Sequence, residues 1–217
     1  MKSPKNLATI TITVLMLSAL AIRLVALDAT SIRADEGTTI FLASLPFSDY
    51  LQSAHGDVHP PGYYRHLRLF WLIGTDPFTL RLASVLAGVL CVPAIYLLGK
   101  RMFDESTGLI AATIMTISEF QLRYSQTLRM YSVITLLAIL CTLAFWIWRS
   151  AKKPTLRHSA AYILTATAMV YTHYFSALII LFQGIFLIIC QREKLRSWII
   201  HGAIVTALFL PWLPTFI

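Results

Sequence analysis

The stretch Gly62-Tyr63-Tyr64-Arg65-His66-Leu67-Arg68-Leu69-Phe70-Trp71-Leu72-Ile73-Gly74 decides the fold, because every later loop changes side if it crosses a membrane. With Arg65, His66 and Arg68 among its apolar residues, it reads as an amphipathic helix lying in a membrane interface. Its aromatics would sit in the lipid boundary and its cations would face headgroups. As a span it would put Lys152 and Lys153, and then Arg192, Lys194 and Arg196, outside the cytoplasm. That opposes the Lys/Arg excess of cytoplasmic loops.

Composition justifies treating lipid as the solvent. Of 217 residues, 57% are hydrophobic and 13% charged, with mean hydropathy +0.70; soluble domains carry about 25% charged residues. A span needs about 20 apolar residues. Candidate stretches run at 7–27, 80–98, 107–117, 131–148, 159–171, 175–190 and 198–213, so the expected fold is an all-α polytopic membrane protein of about seven transmembrane helices. Stretches 107–117 and 159–171 reach full length only by continuing into polar flanks. Cys91, Cys141 and Cys190 are scattered singly and form no disulfide or metal motif. Lys2 and Lys5 precede the first apolar run, but Leu24-Val25-Ala26 is a poor cleavage site, so the run reads as an uncleaved anchor.

With the N-terminus inside, the inner loops hold Lys2, Lys5, Lys100, Arg101, Arg149, Lys152, Lys153, Arg157, Arg192, Lys194 and Arg196 against Asp104, Glu105 and Glu193. The outer loops hold Arg33, Arg65, Arg68, Arg81, Arg123 and Arg129 against Asp28, Asp35, Glu36, Asp49, Asp57, Asp76 and Glu119. The basic excess is therefore an orientation signal for a multi-pass protein of the cell membrane, and nucleic acid is not implied. The outer loop, 28–79, reads as a platform. Surface helices are expected at 36–45, stopped by Pro46, and at 49–54 after a Ser48 cap; Asp76-Pro77 is a clean helix start.

Asp35-Glu36 directly follows the first span. One reading is a helix cap, since Asp accepts hydrogen bonds from first-turn amides. The other is chemical: partial desolvation at a membrane boundary raises a carboxylate's proton affinity and makes it a competent base. A second polar island, Ser118-Glu119-Phe120-Gln121-Leu122-Arg123-Tyr124-Ser125-Gln126-Thr127-Leu128-Arg129-Met130-Tyr131-Ser132, faces the same side. Its two arginines either snorkel to lipid headgroups or bind an anionic group through the guanidinium fork. A third outward turn, Tyr171-Thr172-His173-Tyr174-Phe175, sets one histidine in an aromatic belt.

Arg23, Asp35-Glu36, His59-Pro60-Pro61-Gly62-Tyr63-Tyr64, Arg81-Leu82-Ala83-Ser84-Val85-Leu86-Ala87-Gly88, Arg123-Tyr124-Ser125-Gln126 and Arg129-Met130-Tyr131-Ser132 together resemble the GT-C fold membrane glycosyltransferases. The likeness is to the family of protein O-mannosyltransferases, aminoarabinose transferases and RgtA/B/C/D-like enzymes. The resemblance implies a polyprenyl-phosphate-linked sugar as donor and a hydroxyl acceptor (lipid, glycan or protein), with inverting transfer on the extracytoplasmic face. It implies Asp35 as base with Glu36 supporting or substituting for it, and Arg23, His59, Arg123, Tyr124, Arg129, Tyr131 and His173 around the donor phosphate. The motifs identify no certain cofactor; a divalent cation is one candidate, with no ligands assigned to it. Full members of the family are longer, so this chain resembles their N-terminal seven-helix module, with the C-terminal half missing or supplied by a partner.

Two other function classes compete. A lipid-binding or transport protein would line a polar cavity with Arg23, Asp35 and His173, although the spans otherwise hold almost no ionisable residue at mid-depth, where transporters place their sites. An inactive scaffold would keep the fold and bind a full-length relative.

Overall fold

The computed structural model describes residues 4–53 and 59–216, and among these every regular element is helical. Eleven helices follow in chain order: α1 (Pro4–Leu24), α2 (Ala34–Ser44), α3 (Phe47–Ser53), α4 (Gly62–Trp71), α5 (Pro77–Met102), α6 (Glu105–Ile117), α7 (Glu119–Ser125), α8 (Tyr131–Ser150), α9 (Leu156–Val170), α10 (Ala177–Cys190) and α11 (Leu195–Phe209). Short 3-10 turns precede α10 and α11, and a last turn, Leu213–Phe216, closes the described chain.

Four segments are long and apolar enough to cross a membrane: Leu7–Leu24, Pro77–Met102, Tyr131–Ser150 and Arg192–Trp212. Glu105–Ile117 and Tyr174–Cys190 are shorter apolar helices, and α9 has 15 residues. Each of the seven expected stretches thus lies on a helix, while length and composition support a multi-pass membrane protein and not a count of seven.

Helix α5 is the central post, packed against α1, α4, α6, α7 and α8. Its start is set by Asp76, whose carboxylate accepts the Thr79 amide at 3.0 Å and the Thr79 hydroxyl at 2.7 Å, with Pro77 at the first helical position. Asp104 caps α6 in the same way, accepting from the Thr107 amide at 2.7 Å. Close helix contact depends on Gly88 of α5: a Cβ there would lie 2.1 Å from Ser125 Oγ and 3.0 Å from Arg23 Nε. A second layer, α8 to α11, packs around Trp148, Tyr162, Ala166, Met169 and Leu187. Inside it Tyr162 donates to Gln183 at 2.8 Å and accepts from Trp198 Nε1 at 2.9 Å, which satisfies polar groups where water is scarce.

The platform departs from expectation in its orientation. Helix α4 forms, but Tyr63, Tyr64 and Leu67 are buried against the protein, while Leu72 and Ile73 just beyond it are 79% and 77% exposed. The aromatic tyrosines therefore face the core and not the lipid boundary. The cations turn inward as well. Arg68 Nη1 donates to the carbonyls of Ala43, Ser44 and Leu45 at 3.1, 2.6 and 3.2 Å. These are end carbonyls of α2, which lack intrahelical partners, so Arg68 caps a neighbouring helix. Arg65 lies over the rings of Phe47 and Tyr50, at 5.7 and 5.1 Å. Helix α3 begins at Phe47, before Ser48, whose hydroxyl bonds Asp49 Oδ1 instead of capping. Ala54, placed in that helix from sequence, and Asp57, counted among the outer charges, lie outside the described residues.

Candidate active site

The adjacent carboxylates at the start of α2 part company. The residue preceding the helix is Arg33, and Glu36 reaches back to accept its amide at 3.1 Å. Asp35 thus occupies the first turn without being the cap, and its Oδ1 accepts the Glu36 amide at 3.0 Å. The two side chains then point to different surroundings.

Glu36 is 2% exposed and saturated. Arg81 gives it two parallel bonds, Nε to Oε1 at 3.2 Å and Nη2 to Oε2 at 3.0 Å, and the Leu128 amide adds a third contact at 2.7 Å. Burial opposes ionisation of this carboxyl, but the Arg81 guanidinium and the Leu128 and Arg33 amides outweigh it and hold Glu36 below the usual carboxylate range. Arg81 Nη1 meanwhile takes the carbonyls of Leu27 at 2.8 Å and Thr30 at 3.1 Å. One ion pair thereby joins α2, α5, the exit of α1 and the 126–130 turn.

Asp35 is open. Its side chain is 51% exposed, and Oδ2 lies 3.8 Å from Arg129 Nε, an ion pair too long for a hydrogen bond. Arg129 is buried and positioned by Nη1, which donates to the Asp35 carbonyl at 3.2 Å and to Thr39 Oγ1 at 3.1 Å. Its Nη2 lies 3.5 Å from His59 Nε2, and its Nε has no hydrogen-bond partner. The His59 ring meets His173 edge-on at 5.7 Å. That meeting follows from Gly62, whose amide donates to Tyr171 O at 2.7 Å and whose missing Cβ would lie 2.5 Å from the same oxygen. Tyr63 adds a brace, with its hydroxyl 3.2 Å from Ser84 Oγ, which donates to Arg129 O at 3.3 Å. Burial first, then the neighbouring His59 and Arg129, pushes the His173 imidazole below its ordinary value.

The structure gathers Asp35, His59, Arg129 and His173 and leaves the other expected residues elsewhere. Arg23 is fully buried, with Nε on Ser125 Oγ at 3.1 Å, Nη1 on the carbonyls of Ala19 and Thr116 at 3.2 and 3.3 Å, and Nη2 on Met115 O at 3.2 Å. It straps α1 to α6 and α7. Arg123 lines a neighbouring cavity of about 300 Å³ with Thr30, Arg33, Glu36, Arg81, Glu119, Leu122, Gln126 and Thr127. Tyr124 stands between Phe120 and Tyr131 in an aromatic row, with ring centroids 4.5 Å apart on each side. Sequence reasoning assigned no role to Arg81, Thr39 or Arg33; the Asp76-Pro77 start, which puts Arg81 in the first turns of α5 at the platform, was the available signal for the first. Among the described residues no group of three or more His, Cys, Asp or Glu is placed to hold a metal ion. Asp35 also faces a guanidinium, a poor second ligand for a cation.

A family model described as dolichyl-phosphate-mannose-protein mannosyltransferase matches residues 58–214, a segment that holds His59, Arg129 and His173 and begins after Asp35. No curated protein matches the chain.

Proposed function

The chain belongs to the dolichyl-phosphate-mannose-protein mannosyltransferase family, and from that premise we propose that it transfers a sugar from a polyprenyl-phosphate donor to a hydroxyl acceptor. The observation that carries this reading is the Asp35 carboxylate, open to solvent on one side and ion-paired at 3.8 Å with Arg129 Nε, which makes no hydrogen bond. A base must present an accessible oxygen to its substrate, and the exposed half of Asp35 leaves room for one.

In this mechanism the acceptor oxygen attacks the anomeric carbon as its proton passes to Asp35. The bond from that carbon to the phosphate oxygen breaks, the electron pair leaves with the polyprenyl phosphate, and the configuration inverts. The leaving phosphate is received on the histidine side of Arg129, where Nη2 and the imidazoles of His59 and His173 meet developing negative charge. Arg123 and Arg33 supply further positive charge from the adjoining cavity, and the row Phe120, Tyr124 and Tyr131 offers apolar surface to the prenyl chain. Glu36 serves as a positioning residue. Both its oxygens are engaged by Arg81 and backbone amides, so it holds the start of α2 and is not a second base.

The site lies on the extracytoplasmic face in this reading, supported by the basic residues gathered at the opposite helix ends. A cysteine at Asp49 should react with an impermeant reagent added outside, and one at Lys153 should not; the reverse would invert the assignment.

The test of the base is Asp35→Asn. Asparagine makes the same local backbone contact, so the variant should fold and bind donor lipid normally. Transfer should fall by roughly 10²–10⁴-fold, the usual share of general base catalysis. Turnover like that of the wild type would remove Asp35 from the chemistry.

A further inference from the structure

At the far end of the bundle from Asp35, the end of α8, the 151–154 connection and the 191–197 segment that leads into α11 line a cavity of about 680 Å³. We propose that it binds the phosphate headgroup of an anionic phospholipid. This site is separate from the donor site, and nothing in the transfer reaction calls for it.

The cations are held in place by protein. Arg149 is clamped between aromatic faces, its guanidinium 4.2 Å from the Trp146 centroid and 4.8 Å from that of Phe186. Its Nε donates to Gln191 Oε1 at 2.9 Å, and Gln191 Nε2 returns to Arg149 O at 3.4 Å. The two Nη groups make no hydrogen bond among the described residues, so the outer prongs of a fixed fork remain for a ligand. Lys194 donates to Ala151 O at 2.9 Å, which caps the end of α8, and its ammonium lies 5.9 Å over the Trp148 ring at the floor. Lys152 stands exposed at the rim, and Glu193 is the one acidic residue in the lining.

Snorkelling side chains reach freely for water; these are braced, with conformational cost already met by the fold. A planar fork plus an ammonium over an aromatic floor suits phosphate oxygens, since Arg binds them in bidentate fashion and Lys adds a point charge. Basic pockets between helices at the membrane surface suit lipid headgroups. Leu156 and Ile189, each two residues along the chain from a lining residue, are 84% and 74% exposed and offer acyl chains apolar surface. A free phosphate would use the charges and leave that surface bare.

The test places the full chain in nanodiscs of phosphatidylcholine with or without phosphatidylglycerol, and reads thermal stability together with lipids retained in native mass spectra. Phosphatidylglycerol should raise the melting temperature and remain bound. Arg149→Gln with Lys194→Gln should weaken retention by about tenfold, the scale of one lost charge-assisted bond. Lys152→Gln, which removes a rim charge without touching the bracing bonds, should weaken it in the same direction even if the double variant fails to fold. Lys100→Gln is the control: it lies outside the cavity, and its ammonium is paired with Glu105. Equal loss in Lys100→Gln would reduce the effect to general surface charge and overturn the proposal. So would inorganic phosphate in phosphatidylcholine discs, if it reproduced the whole stabilisation, or undiminished retention in both cavity variants.

Discussion

Two neighbouring carboxylates, Asp35 and Glu36, meet two arginines and reach opposite states. Glu36 with Arg81 is closed: the pair is buried, every carboxylate oxygen has a donor, and the guanidinium also ties down two loop carbonyls. Asp35 with Arg129 is open: half the carboxylate faces solvent and Arg129 Nε bonds nothing. The difference lies in what each charge has left to give. A saturated ion pair can only hold structure, whereas one with an idle donor and an accessible oxygen can take on a substrate without first breaking a bond.

Breaking the closed pair should have the largest effect. Glu36→Gln leaves Arg81 charged and buried with a neutral partner, and losing one member of a buried pair costs about 3–5 kcal/mol. Thermal unfolding in nanodiscs should fall accordingly, while the variant that still folds keeps transfer. Acid should act in the same direction. The folded carboxyl titrates below its ordinary value, so its contribution is complete above the unfolded value and is lost as pH falls through the folded one. A Glu36→Gln protein with intact stability and no activity would exchange the roles assigned to the two carboxylates.

The open pair predicts a smaller change of a different kind. Arg129→Ala should weaken polyprenyl-phosphate binding by about 1.5–3 kcal/mol, the scale of a hydrogen bond to a charged group. Lys at 129 should restore charge without the fork, and so recover only part of the loss. Stability should change less than in Glu36→Gln, since the partner carboxylate stays hydrated. Unchanged lipid affinity in the Ala variant would leave Arg129 as a strut between Thr39 and the Asp35 carbonyl.

How much of this was legible depends on range. Apolar runs placed a helix on each of the seven expected stretches, because lipid imposes length and composition locally. The Asp76-Pro77 start and the Pro46 stop are equally local. What escaped the sequence is direction. Arg68 reads as a headgroup contact until α2 is seen to end beside it with three carbonyls lacking partners, and Arg23 reads as a phosphate ligand until Gly88 brings Ser125 against it. Which carboxylate closes depends on Arg81, 45 residues away, and the Leu128 amide, 92 residues away. No spacing rule carries that information. The fold's outline was therefore readable, and the division of labour at the site was not.

The finest test of the open pair uses the pH dependence of His173. Its Nδ1 accepts the Phe175 amide at 3.3 Å, starting the turn into α10. Protonation would forfeit that bond and add a cation beside Arg129. The imidazole accordingly lies below its ordinary value of 6.5, through burial first and then His59 and Arg129. The unfolded chain therefore takes up the proton first, and the wild type loses stability as pH falls below about 6.5, with the loss complete once the folded ring is also protonated. His173→Asn keeps a side-chain acceptor for the Phe175 amide and removes the titration, so its stability should decline less over the same interval. A bound phosphate reverses the electrostatics. It favours the imidazolium, so stabilisation of the wild type by polyprenyl phosphate should grow as the pH is lowered, and that of His173→Asn should grow less. Parallel curves for the two proteins, with and without lipid, would take His173 out of the phosphate's reach and confine the open pair to Asp35, Arg129 and His59.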